Sequence, residues 1–283
     1  MTVRIGSVWD STQQVLAGRA GMLVPFAAIG FVVPVLVQLL LVPAGSVPHG
    51  GLMMVSTILG ALLGIWAQLA IMALATHPAT TQADAARAGW RRFPAALGVA
   101  LVLGLAFMVA ILIPMVLLGA SGFDFAQAVA ANGNPALMPP IPSGLGAILG
   151  LYILALALIA VWIGVRFMPL YAVVLNERRG LGAYRRSLTL TRGMTWRLIG
   201  VSLLFLIVLF VTTLAVQGVT GAVLRLALGP DRPGIVLGLV GVLGSIVTAA
   251  FMTLAYVFVA RLYVATAAEH PAGPATEDGT PSL

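Results

Sequence analysis

Long apolar runs alternate with short polar segments along the chain. Residues 21–42, 51–76, 94–120, 198–219 and 235–260 carry no charged side chain, and a sixth run, 145–175, contains one, Arg166. Each exceeds the ~20 residues a helix needs to cross ~30 Å of hydrocarbon. Backbone polar groups in lipid must pair within their own segment or in a closed barrel. These runs are too long and too evenly apolar for barrel strands, so each predicts a transmembrane helix. The first is also longer than the apolar region of a cleavable signal, and it is expected to be retained.

The segments between the runs have a helical period of their own. Ile5, Val8, Trp9, Thr12 and Leu16 form one stripe; Ala83, Ala86, Trp90 and Phe93 form a second, opposite Asp84, Arg87 and Arg91. Leu181, Tyr184 and Leu188 form a third, opposite Arg185, Arg186 and Arg192. Each stripe precedes a pair of apolar runs, and the second run of each pair carries a polar residue toward its end: Gln68, Arg166 and Arg261. The pattern predicts an all-α integral membrane protein of about six transmembrane helices, in three repeats of interfacial amphipathic helix plus transmembrane hairpin. Residues 1–267 form that polytopic domain, with a longer Pro-rich loop, "ASGFDFAQAVAANGNPALMPPIPS", in the middle repeat. Residues 268–283 read as a disordered polar tail.

Composition sharpens this picture. At 60% hydrophobic and 8% charged residues, the chain lies far from the roughly 25% charged fraction of soluble domains. The absence of Cys removes disulfides and thiolate metal sites. Arg4, Arg19, Arg87, Arg91, Arg92, Arg178, Arg179, Arg185, Arg186, Arg192, Arg197 and Arg261 fall on one side of the spans, and Arg225 and Arg232 on the other. Because positive residues are retained on the cytoplasmic side of short loops, both termini are expected in the cytoplasm. The net charge of +7 is therefore a topology signal first and an attraction to anionic lipid second, and nucleic acid is not an expected partner.

Chemistry-bearing residues are sparse. His49, His77 and His270 lie in three separate loops or tails, and the eight carboxylates have no ligand spacing. With no phosphate-gripping loop, zinc motif or nucleophile elbow, the expectation is no catalytic residue, no metal and no cofactor.

Several segments carry a resemblance: "IGSVWDSTQQVLAGRAG", "WAQLAIMALATHPATTQADAARAGWRRFPAALG", "RFMPLYAVVLNERRGLGAYRRSLTLTRGMTWRLIGVSLL" and "ARLYVATA". Their most specific part is the order Glu177, Ser187, Leu190, Thr191, Arg192, Gly193, Trp196, Arg197. Over about residues 4–267 the chain resembles the bacterial glycerophosphoryl diester phosphodiesterase membrane-domain family. The resemblance implies a polytopic membrane domain, fused in some members to a phosphodiesterase barrel. That barrel needs paired histidines and a carboxylate cluster for a divalent ion, which this chain lacks.

Arg166, Arg185, Arg186, Arg192 and Arg261 are the candidate ligands of a lipid headgroup, since the guanidinium fork matches phosphate oxygens. Arg166 and Arg261 have the alternative of snorkelling to the interface, for Arg166 with the help of a kink at Pro169. Gln38, Gln68 and Gln217 are intramembrane polar residues, read as interhelical hydrogen-bond partners or as the lining of a solute path. Gly60 and Gly64, Gly146 and Gly150, Gly234 and Gly238, then Gly241 and Gly244, permit close helix approach. Pro25, Pro34 and Pro114 read as kinks, because no intramembrane carboxylate accompanies them. The functional expectation is a non-catalytic, multi-pass protein of the bacterial inner membrane that engages anionic phospholipid, or docks a membrane or cytoplasmic protein partner, through arginine-rich helices. The alternatives are a transporter or channel for a lipid-like or small amphiphilic solute, and a subunit of a membrane enzyme complex.

Overall fold

The computed structural model describes residues 4–41, 50–131, 134–142, 144–177, 180–229 and 232–270. His49, Arg178, Arg179 and the tail from residue 271 onward lie outside the described residues. The elements are α1 (Ile5–Ala27), a π turn (Ala28–Val32), α2 (Val33–Leu41), α3 (Gly50–Thr76), α4 (Gln82–Ala120), α5 (Phe125–Ala130), a 3₁₀ turn (Pro135–Leu137), α6 (Leu145–Arg166), α7 (Leu170–Asn176), α8 (Ala183–Leu190), α9 (Thr195–Leu228) and α10 (Pro233–Glu269). Six helical stretches are long and apolar enough to cross a membrane, and no strand occurs among the described residues. The chain is an all-α, multi-pass membrane protein.

Element boundaries depart from the sequence expectation in four places. The first two amphipathic stripes are continuous with the spans that follow them, in α1 and α4. Nothing in "LAGRAG" breaks the first, and Pro94 and Pro114 sit inside α4 without ending it. Membrane helices tolerate such prolines because neighbouring groups and local widening satisfy the freed carbonyls. Pro25 likewise lies inside α1, and the ladder widens to the π turn three residues later. The run 145–175 is not one helix: α6 stops at Arg166, and Pro169 caps α7. Its 22 residues span about 33 Å, which matches the hydrocarbon thickness and puts Arg166 at the helix end rather than deep within it. Finally α10 runs through residue 268 to Glu269, so the helix takes in the start of the expected tail.

The fold divides into two compact units, residues 1–97 with 166–283, and residues 98–165. In the first, α10 packs on α9, α1 and α3. The second half of α3 is buried on every side, from Trp66 and Ala67 through Leu69 to Thr76. An all-round apolar helix of this kind belongs at the centre of a bundle. Val8, Thr12, Leu23, Phe26 and Ala27 continue one buried face along α1, so its amphipathic stripe is the start of the core-facing stripe. On α4 the inward positions are Ala85, Gly89 and Ala96, while Trp90 is exposed, so the predicted Ala83/Trp90 stripe is turned away from the core. Apolar area drives nothing between helices in lipid, and small side chains that let backbones approach take the inner face.

Close approach is sharpest at Gly30. A Cβ there would overlap Ala67 Cβ, while Gly60 meets Pro34 and Gly64 meets the Gly30 carbonyl. Of the predicted small-residue spacings, Gly60 therefore serves contact of α3 with α2 and Gly64 contact with the π turn, and Gly244 lies against Gln217, whereas Gly150 and Gly241 face open space. An aromatic chain joins three helices: Phe26 to Trp66 at 5.4 Å, Trp66 to Trp90 at 5.8 Å, and Trp90 to Phe93 at 5.7 Å between ring centroids. The second unit holds its two long segments by the Tyr152 hydroxyl, which donates to the Ala110 carbonyl at 2.8 Å. Most of its large apolar side chains are exposed, as a lipid-facing surface requires.

Candidate functional site

A polar layer forms where the ends of α3, α6, α7 and α10 meet α8 and the first half of α1. Helix ends leave carbonyls without intrahelical donors, and in this layer side chains supply them. Arg19 Nη1 donates to the Leu74 carbonyl at 2.8 Å and the His77 carbonyl at 3.1 Å. Arg261 adds Nη1 to the Ala75 carbonyl at 3.5 Å and Nε to Ser11 Oγ at 3.3 Å. Two cations thus sit on the negative end of the α3 dipole. The end of α6 is served by α8: Ser187 Oγ and Thr191 Oγ1 donate to the Arg166 carbonyl at 2.8 and 3.3 Å.

Helix α8 turns an arginine inward. Arg186 Nε lies 2.9 Å from Glu177 Oε1, with the side chains 9% and 10% exposed. Tyr263 of α10 donates to the same oxygen at 3.3 Å, and Arg186 Nη2 donates to the His270 carbonyl. The inner face of α8 is Ala183, Arg186, Ser187 and Leu190, not the predicted Leu181, Tyr184 and Leu188. A guanidinium with a buried carboxylate opposite outweighs the apolar stripe, because leaving Glu177 buried and unpaired would be strongly unfavourable. Tyr184 stacks edge-on against Phe167 at 5.3 Å. Burial, and next the neighbouring Tyr171, pushes its phenol above the ordinary value, so it stays neutral at physiological pH. Gly193, at φ +84°, makes the turn into α9 that a side chain would strain.

The five predicted headgroup arginines therefore separate. Arg186 and Arg261 are tied to protein groups, and Arg166 ends α6 with its carbonyl capped. Arg185 and Arg192 are exposed. Gln38 and Gln68 are half-buried on α2 and α3, and the Gln217 amide lies against Gly244 on α10.

Two concavities were not legible in the sequence. One is an apolar groove of 650 Å³ between the first two turns of α1 (Ile5, Gly6, Trp9), α9 (Val201 to Val208) and α10 (Phe251 to Val259). Its polar group is Ser202, whose buried hydroxyl has no hydrogen-bond partner among the described residues. Exposed Arg4 precedes Ile5, and exposed Arg197 stands one turn before Val201 on the same helix. Trp9, in the groove wall, and Trp196, next to Arg197 in sequence, are both exposed. The other is a polar cleft of 310 Å³ where α3, α4 and α7 end or begin, lined by Ala73, His77, Thr80, Asp84, Ala88, Arg91, Arg92 and Asn176 among others. Lone polar residues such as Ser11 and Ser202 gave no periodic signal that would have marked them. Among the described residues no group of three or more His, Asp or Glu gathers to hold a metal.

The chain belongs to a family defined as a domain of unknown function, DUF7847, whose model matches residues 6–266. It matches no curated protein and no solved structure.

Proposed function

We propose that this chain is a non-catalytic protein of a bacterial inner membrane, with both termini in the cytoplasm, that holds anionic phospholipid at its arginine-rich end. The observation that carries the reading is the apolar groove beside exposed cations. Ile5, Trp9, Phe205 and Phe251 offer walls suited to acyl chains, and Arg4 and Arg197 stand next to it in sequence where a phosphate would follow. Arg185 and Arg192 are exposed cations as well, and each basic residue near an anionic surface contributes about 1 kcal/mol. Trp9 and Trp196 suit the interfacial level at which such a headgroup lies. The likeness of the Glu177 to Arg197 segment to the membrane part of the glycerophosphoryl diester phosphodiesterases supports a role near phospholipid.

Phospholipid retained after detergent extraction, quantified by mass spectrometry, tests the reading. In Gly6→Leu a side chain enters the groove from a position where an added Cβ meets open space. Leu is also the better helix former. Retained anionic lipid is expected to fall with the thermal midpoint unchanged. The pair Arg185→Gln and Arg192→Gln is expected to lower it by roughly an order of magnitude. Wild-type retention in both variants overturns the proposal.

A further inference from the structure

The polar cleft is separate in lining from the apolar groove. Its wall on α4 is Asp84, Ala88, Arg91 and Arg92, which recur at i, i+4, i+7 and i+8 on one helical face. Ala73 and His77, four apart, form the wall at the end of α3, and Asn176 ends α7. The void exists because the middle of each facing stretch is alanine: a larger residue at Ala73 or Ala88 would fill it. Polar groups then ring an open floor. At 310 Å³ the space is at the lower end of small-ligand pockets, the size of a compact polar group rather than an acyl chain.

Charge decides what it takes. Two arginines, both in the wall, face a single carboxylate, and that carboxylate is already engaged. Asp84 Oδ2 accepts from Thr81 Oγ1 at 2.6 Å, and Asp84 Oδ1 lies 3.4 Å from Arg87 Nη2. Thr81 Oγ1 in turn accepts from the Asp84 amide at 3.2 Å, a reciprocal cap that fixes the start of α4 and so the direction of Arg91 and Arg92. The rim opposite is held as well: His77 Nε2 donates to Asn176 Oδ1 at 3.1 Å, Asn176 Nδ2 donates to the Ala172 carbonyl at 2.8 Å, and Arg19 holds the His77 carbonyl. A concavity on fixed elements, with the exposed guanidinium fork of Arg91 and the charge of Arg92 in its wall, suits tetrahedral oxyanions.

We infer that this cleft is a binding site for a phosphate group, carried either by a phospholipid headgroup or by a soluble phosphate compound. Arg91 grips the oxygens, the positive charge of Arg92 stands beside it, and Thr80 adds a hydroxyl donor.

Binding to the detergent-purified full chain, followed by calorimetry with two probes, tests it. The probes are inorganic phosphate and a water-soluble dihexanoyl phosphatidic acid. Saturable binding of either is expected, weakened by roughly tenfold or more in Arg91→Gln, which removes charge-assisted hydrogen bonds from an exposed position. It is also expected to weaken in Ala88→Leu, which fills the floor and leaves all charges in place. Gly6→Leu should leave the binding of inorganic phosphate unchanged, which separates this site from the groove. Measured in the Gly6→Leu background, stronger binding of the lipid assigns the phosphate to a headgroup, and equal or stronger binding of inorganic phosphate assigns it to a soluble compound. No saturable binding of either probe overturns the inference, as does binding that neither Arg91→Gln nor Ala88→Leu weakens.

Discussion

Arg186 Nε and Glu177 Oε1 stand 2.9 Å apart with both side chains about nine-tenths buried, and this pair fixes which face of α8 looks inward. Removing one partner leaves the other charge buried without compensation, which costs about 3–5 kcal/mol. Arg186→Met is therefore expected to lower the thermal midpoint sharply, and the double change Arg186→Met with Glu177→Leu to recover much of the loss. Unfolding of the purified protein followed by circular dichroism measures both. Equal losses in the single and double variants would show that the pair itself is not what holds α8.

Arg19 and Arg261 cap the same helix end through different carbonyls. Arg19→Gln shortens the side chain, withdrawing the Nη1 donor, and removes charge at the α3 terminus, and a loss of about 1–2 kcal/mol is expected. Arg261→Gln, with longer contacts of 3.3 and 3.5 Å, should lose less. A reversed ranking in denaturant titrations would place the main cap on Arg261.

Gly30, in the π turn after α1, lies against α3, so Gly30→Ala forces overlap with Ala67 and is expected to destabilise by about 1–3 kcal/mol. Gly18→Ala, in α1 with open space around it, should be neutral or slightly stabilising. Thermal midpoints of the two variants in the same detergent decide between close approach and general helix propensity.

Topology is tested by reporter fusions. Fusions after Gly50, Asn134 and Arg232 are expected to read external, and fusions after His77 and Glu177 cytoplasmic, as the twelve-to-two arginine distribution requires. An external reading at Glu177 would overturn the orientation proposed here and move the arginine-rich end away from the cytoplasmic leaflet.

The membrane class and the number of spans follow from sequence alone, because the need to pair every backbone group in lipid leaves a long apolar run no other structure. Proline at 169 reads in sequence as a kink within one helix, whereas α6 ends three residues before it and a second helix begins after it. Which face of each helix turns inward was not legible. Apolar residues surround these helices on all sides, so periodicity carries little information, and the inner faces were chosen by small residues such as Gly30 and Ala67 that permit contact. The arginines show the same division. Their distribution along the chain predicts an orientation, since that depends on counts in loops. Whether a given guanidinium meets a carboxylate, a helix end or open space depended on long-range partners: Glu177 nine residues from Arg186, Leu74 fifty-five from Arg19, Ser11 two hundred and fifty from Arg261. Only the tertiary structure brings those groups within hydrogen-bond distance, and it leaves Arg185, Arg192, Arg197 and Arg91 on the surface.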